Sequence, residues 1–404
     1  MSGARFRVGL SVSPQSERLQ ADAGFCYSDG EREARDLAGL QRLYVAHGAT
    51  EVYARVATTR HTAAPGGSGT LGQALARAQM AAELDLDFNP EFGLWETYGD
   101  IGGQPGAAFD QFSELGPVPP WETLTADQME AVLRDYGAIV AGEVLATGAR
   151  VVSWNIGNEV DFGVAGVAPR PPEHRASAYR PPDRIDPEIG RMTVLGIGAM
   201  SVPDQVEWLR EHVWRHQAKL LRGFAGGLRS VDPEARVSTH LAGVMGTEFV
   251  LAFWTCMRDE GYLPDTIGTS YYPSNNINSL SFVEIIEMMA AIQESFSRPV
   301  MIAEFGYPAG EMPAGSKFGG WNQLIPGYPH STEGQAQLLH DLTAWLMQHG
   351  GAGIRPWAPE LVHPHWAPMA LFEPETDEGV PRVARPSLDS ISRALNASVG
   401  SATP

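Results

Sequence analysis

Cysteine is nearly absent from this sequence. The 404 residues hold two, Cys26 and Cys256, with no CxxC pair and no spacing that matches a metal-ligand set. They do not make a disulfide framework, and two buried free thiols are the expectation. Long apolar runs are missing too. No stretch approaches the roughly 18 apolar residues of a membrane helix, and the opening MSGARFRVGLSVSPQ lacks the apolar run of a signal peptide. The expected location is therefore cytoplasmic. Basic charge is scarce: 29 Lys and Arg stand against 48 Asp and Glu, a formal charge of −19. Such a surface repels phosphate backbones and anionic lipid, so neither nucleic acid nor membrane is an expected partner. Familiar signatures are lacking as well: there is no GxSxG, no HExxH and no P-loop lysine motif. GSGTLG (67–72) has the letters of GxGxxG, but RHTAAPG separates it from the preceding β-rich run. A dinucleotide fingerprint opens directly off a strand, so these glycines read as a loop before a helix. No metal or organic cofactor is expected, and the oligomeric state is not legible.

What is present is ample material for a core, with 43% hydrophobic residues. Eight short β-rich runs lie at 6–13, 50–58, 83–88, 149–157, 235–243, 265–272, 298–306 and 351–358. Amphipathic segments predict helices over 31–48, 71–83, 125–148, 203–231, 248–261, 281–296, 331–350 and 387–398. Eightfold strand–helix alternation predicts an α/β fold, a (β/α)8 TIM barrel. A doubly wound open sheet also alternates but offers no reason to stop at eight. No repeat, linker or low-complexity tract divides the chain, so residues 1–404 read as one catalytic domain. Two segments are too long for plain loops: 89–124 after strand 3, and 160–203 after strand 4, the latter rich in Pro and Arg. In a barrel, the loops at strand C-terminal ends build the site. The second segment reads either as a stiff surface excursion or as a wall restricting a pocket.

Chemistry concentrates at the ends of these strands. ARVVSWNIGNEV (149–160) finishes on Asn158–Glu159, and PVMIAEFGYP carries Glu304 inside an apolar run. A carboxylate in such a run is costly to bury without partners. Two of them, closing strands 4 and 7, have the disposition of a retaining glycosidase, whose carboxyls flank one bond about 5–5.5 Å apart. One acts as a proton-carrying acid/base and the other as an ionised nucleophile. A neighbouring Tyr hydroxyl or Arg guanidinium favours the ionised form, and Tyr271, Tyr272 and Arg55 stand at strand ends or within a strand. Trp357, near the end of strand 8, is a candidate platform for the apolar face of a sugar ring. His240, in STHLAG, is a candidate partner for sugar hydroxyls.

These residues resemble the clan A glycoside hydrolases and, within that clan, the arabinogalactan endo-β-1,4-galactanases of glycoside hydrolase family 53. NIGNE resembles the acid/base motif of that family, IGTSYYP its strand 6, and MIAEFGYP its nucleophile strand. STEGQAQLLHDL with GIRPWAPEL resembles the helix and strand that end its barrel. STHLAG, the Arg of YARV and PPW (119–121) fall in register, and the match runs over roughly residues 8–362. The resemblance implies Glu159 as acid/base and Glu304 as nucleophile. It also implies Asn158 on the sugar 2-hydroxyl, Arg55 with Tyr271 or Tyr272 beside Glu304, His240 lining the site and Trp357 as its floor. The segment LDFNPEFGLWETYGD, the SNNIN after SYYP, the RPWAPE of strand 8 and the 160–203 excursion depart from the family pattern. Such positions line sugar subsites, so the resemblance implies the chemistry and leaves the sugar open. The expected substrate is an oligosaccharide or small glycoside. A transglycosylase using the same carboxylates, and a non-catalytic sugar-binding barrel, fit the same residues.

Overall fold

The structure is a computed structural model that describes residues 5–13, 26–63, 69–374 and 380–400. Gly67 and Ser68 of the GSGTLG segment lie outside the described residues. The fold is a (β/α)8 barrel. Its strands are β1 (Arg7–Val8), β2 (Glu51–Val56), β3 (Asp87–Phe92), β4 (Trp154–Ile156), β5 (Val237–Leu241), β6 (Thr266–Tyr271), β7 (Val300–Phe305) and β8 (Gly353–Pro356). The helices that follow them are α1 (Leu37–Ala46), α2 (Leu71–Glu83), α3 (Ala126–Ala146), α4 (Arg215–Val231), α5 (Gly246–Asp259), α6 (Phe282–Phe296), α7 (Thr332–Gln348) and α8 (Ser390–Gly400). Packing divides the chain into two compact units, residues 1–53 with 268–404, and residues 54–267.

In the first unit β1 pairs in parallel with β8, Val8 opposite Ile354, and β8 pairs with β7, Ile302 opposite Ile354. Every residue of β7 and β8 is buried, as expected of parallel strands covered on both faces. Ser281 caps α6 through a reciprocal box with Glu284, satisfying two amide donors that a helix start leaves open. A small three-stranded sheet (Tyr27–Ser28, Glu33–Ala34 and Arg382–Val383) lies in the same unit. Its presence corrects the expected helix over 31–48. Asp36 accepts the Gly39 amide at 2.6 Å and so starts α1 only at Leu37.

In the second unit β3 pairs with β4, Glu91 opposite Asn155, and β4 pairs with β5, Trp154 opposite Val237. Thr125 and Gln128 form the capping box that opens α3. Helices α3 and α4 approach closely because glycines line the seam. A Cβ on Gly227 would meet the Arg134 carbonyl at 1.9 Å, and one on Gly137 would meet the Phe224 carbonyl at 2.6 Å. The expected helix over 203–231 is built in pieces: Val202–Leu209 passes through a π-helical turn, Arg210–Trp214, into α4.

Strand 3 is the main correction. The sequence placed it at 83–88, but Glu83 ends α2 and Asp85 turns the chain at φ +53, so the strand begins at Asp87. Residues 93–125 form a long connection with two 3-10 turns, and 157–201 a second one carrying three short helical turns, Glu173–Ala178, Pro187–Arg191 and Val194–Gly198. A cleft of about 370 Å³ opens between them, with Glu96, Phe109, Trp121 and Arg180 in its lining. Cys26 and Cys256 are buried free thiols. Among the described residues no helix is long and apolar enough to cross a membrane, and no group of three His, Cys, Asp or Glu side chains is placed to hold a metal ion.

Candidate active site

The six residues of β3, Asp-Phe-Asn-Pro-Glu-Phe, alternate strictly and are all buried. Phe92 packs on Trp154 and Phe224, while Glu91 points the other way with no solvent exposure. Its carboxylate is held at both oxygens. Arg55 of β2 donates Nε to Oε1 at 2.7 Å, and Asn155 of β4 donates Nδ2 to Oε2 at 2.6 Å. His240 of β5 is buried with Nδ1 3.8 Å from Oε2. Arg55 also donates Nη2 to the Asn158 side-chain oxygen at 2.8 Å, and its guanidinium lies 5.5 Å from the centre of the Tyr98 ring. Arg55, Asn158 and His240, singled out from sequence, thus belong to one buried network. Its centre, Glu91, was missed. The alternation of DFNPEF was the available signal, masked by a proline that argues against a central strand.

The chain leaves β4 through two left-handed residues, Gly157 at φ +80 and Glu159 at φ +46. That conformation costs a residue with a Cβ about 1–2 kcal/mol, so surrounding bonds must hold it. Asn158 donates Nδ2 to the Gly99 carbonyl at 2.9 Å. Gln104, itself buried, donates Nε2 to the carbonyls of Asn158 (2.8 Å) and Glu159 (3.1 Å). The Ile101 amide donates to the Glu159 carboxylate at 3.4 Å. Glu159 is partly exposed. Two residues on, Asp161 is fully buried and accepts the Ala242 amide at 2.8 Å. Burial pushes its carboxyl up to about 7.

In the other unit Glu304 is the fifth residue of β7 and only 4% exposed. The Tyr272 hydroxyl donates to its Oε2 at 2.7 Å. Tyr271, the alternative from sequence, instead donates to the Leu280 carbonyl at 3.2 Å. The sequence left the pair open because adjacent strand residues point to opposite faces. The geometry selects Tyr272. Trp357 follows β8, its amide bonded to the Phe305 carbonyl at 2.9 Å. Its ring meets Trp366 edge-on at 4.6 Å, and Trp366 meets Tyr272 at 6.1 Å. Trp321 and Phe318 complete this aromatic group beside Glu304. Trp366, Trp321 and Phe318 lie in loops beyond strands 7 and 8, where strand patterns carry no signal.

The family model of glycosyl hydrolase family 53 matches residues 117–380, more than half of the chain. An arabinogalactan endo-β-1,4-galactanase of Cellvibrio japonicus (strain Ueda107) is 27% identical over 177 residues, 40% of this chain and 46% of that protein. The chain spans about half the length of the curated relatives it matches. Among solved structures, the family 53 catalytic domain of Ignisphaera aggregans superposes with a TM-score of 0.68 at 18% identity, covering 96% of this chain and 95% of that one. A fungal β-1,4-galactanase superposes at 0.69 with 17% identity, over 96% and 99%. At such identities these two establish the shared fold. The family model, matched across both carboxylate motifs, establishes more: the chain belongs to glycosyl hydrolase family 53.

Proposed function

We propose that the protein is a retaining glycoside hydrolase in which Glu304 is the nucleophile and Glu159 the acid/base. The observation that carries this reading is the buried Glu304 carboxylate receiving a hydrogen bond from Tyr272 at 2.7 Å. A donor aimed at the ionised form keeps a buried carboxylate charged and ready to attack. In the first step a Glu304 oxygen bonds the anomeric carbon, the glycosidic C–O bond breaks, and the departing oxygen takes the Glu159 proton. In the second, Glu159 takes a proton from water, the resulting oxygen attacks the anomeric carbon, and Glu304 leaves. The sugar departs with its original anomeric configuration. Tyr272 holds the nucleophile ionised, Arg55 fixes the Asn158 side chain, His240 lines the site and Trp357 supports the ring. Asn158 offers an amide hydrogen to the 2-hydroxyl, a bond that strengthens as the ring flattens.

The galactanase relatives favour a β-linked galactoside. The departures of segment 86–100 and of the 160–203 excursion from the family pattern favour a short oligosaccharide over a polymer. Glu304→Gln should lower turnover of β-1,4-galacto-oligosaccharides by at least about 10³-fold while leaving the fold intact. A 2-fluoro glycoside should leave a glycosyl adduct on Glu304, seen by mass spectrometry. Near-normal turnover by Glu304→Gln, or an inverted anomer in the first product seen by NMR, refutes the mechanism.

A further inference from the structure

The turn 99–104 embraces the Asn158–Glu159 pair. Asn158 reaches its Gly99 carbonyl, the Ile101 amide reaches the Glu159 carboxylate, and Gln104 holds the two backbone carbonyls. The turn is closed by reciprocal backbone bonds between Asp100 and Gly103 (3.0 and 2.9 Å), and Asp100 also accepts the Gly102 amide at 2.8 Å. What fixes this turn from outside is the 160–203 excursion. Arg175, on its first 3-10 turn, donates to Asp100 at 2.5 Å and reaches the Gly103 carbonyl at 3.5 Å. There is no room for slack: a Cβ on Gly102 would lie 2.5 Å from the Arg175 guanidinium, and one on Gly103 would lie 2.7 Å from Pro171. The excursion is itself stiffened where the Arg170 amide donates to the Met192 carbonyl and the Val194 amide to the Arg170 carbonyl, and where Tyr179 donates to the Ala168 carbonyl.

Resting on the acid/base reading of Glu159, we propose that Arg175, through Asp100 and with Gln104, is a positioning residue. The excursion latches the turn that aims the Glu159 carboxyl at the leaving oxygen. The same latch lets Glu159 keep its left-handed backbone, since Gln104 holds the carbonyls of the two peptide planes that flank its Cα. The excursion therefore serves the proton-transfer step even though none of these three side chains needs to touch the sugar.

The test exploits leaving-group acidity. A phenyl glycoside needs a proton on its departing oxygen, whereas a 2,4-dinitrophenyl glycoside leaves without one. Both are made on the β-glycoside that the wild-type chain turns over fastest in a panel starting with galactose. Arg175→Ala should lower kcat/KM on the phenyl glycoside by about 10–100-fold, since a misplacement near 1 Å carries a penalty of that size. The loss should shrink below about threefold on the dinitrophenyl glycoside, with KM little changed. Arg175→Lys, which keeps the charge facing Asp100, should recover most of the activity, and Gln104→Leu should repeat the pattern of Arg175→Ala. Equal losses on both glycosides, or none, in a folded Arg175→Ala overturn the latch. Glu159→Ala is the control on the underlying reading: it should spare the first step on the dinitrophenyl glycoside and recover turnover with azide. If it does so while Arg175→Ala behaves like wild type, only the latch falls. If Glu159→Ala shows no leaving-group selectivity and no azide rescue, or the wild type cleaves nothing in the panel, the acid/base assignment falls with it.

Discussion

Replacing Glu91 by alanine should cost more than any single change at the surface of this protein. The carboxylate is fully enclosed and accepts two short hydrogen bonds, from Arg55 at 2.7 Å and Asn155 at 2.6 Å. Bonds to a charged group contribute about 1.5–3 kcal/mol each, so the two together give about 3–6 kcal/mol. Removing one partner of a buried ion pair costs about 3–5 kcal/mol by a separate route, because the other charge stays buried. The two estimates overlap near 4 kcal/mol. The assay is urea unfolding of the wild type, Glu91→Ala, Arg55→Met and the double variant, compared at a common slope. The double variant should be more stable than the sum of the singles predicts, with a coupling of about 2–3 kcal/mol. A loss under about 1 kcal/mol for Glu91→Ala, or single-variant effects that simply add, refutes the idea that this network is a coupled charge pair.

Two further outcomes follow from the same geometry. The buried Asp161 carboxyl titrates near 7 in the folded chain, against 3.8 for its ordinary value. The folded state therefore keeps a proton that the unfolded state has released, and stability falls as pH rises from about 4 to 7, by up to about 4 kcal/mol. Asp161→Asn should flatten this decline, and parallel urea midpoints for the two proteins between pH 4 and 8 contradict it. Tyr272→Phe keeps the ring among Trp321 and Trp366 but removes the hydroxyl that faces Glu304. Its kcat/KM should fall about 10–100-fold, the worth of one charge-assisted bond, while its unfolding midpoint stays put. An unchanged kcat/KM rules out the bond's role.

The barrel was legible because seven of its eight strands are apolar runs bounded by helices with plain start signals. Ser281, Thr125 and Ser331 all begin helices where the sequence placed them. The third strand slipped because the turn out of α2 (Ala-Glu-Leu-Asp-Leu, 82–86) carries the alternation of a strand, and the true strand carries Asp, Asn, Pro and Glu. Local pattern cannot see that those polar residues satisfy one another across neighbouring strands. The site divides along the same line. Glu159 and Glu304 stood out because each interrupts an apolar run, whereas Glu91 sat in a segment that already looked polar. The choice between Tyr271 and Tyr272, the latch at Arg175 and the aromatic group around Trp366 depend on partners distant in sequence. The excursion was visible as a Pro- and Arg-rich anomaly, and what its arginine grips was not.

The unit that carries Glu304 is assembled from the two ends of the chain, and this has a consequence for synthesis. Val8 of β1 finds early partners in the amide and hydroxyl of Thr50, but its β8 neighbour, Ile354, is made 346 residues later. At about 5–20 residues per second the ribosome leaves that edge open for about 20–70 s. Residues 54–267, by contrast, are contiguous and emerge together. Closing the discontinuous unit is the step of highest contact order and therefore the slow one. Glu360 then fastens it, its carboxylate accepting the Ser13 amide at 2.7 Å and the Tyr44 hydroxyl at 3.2 Å. A nascent chain stalled before residue 353 would hold Glu159 and its network in a completed segment, with Glu304 still waiting for its frame.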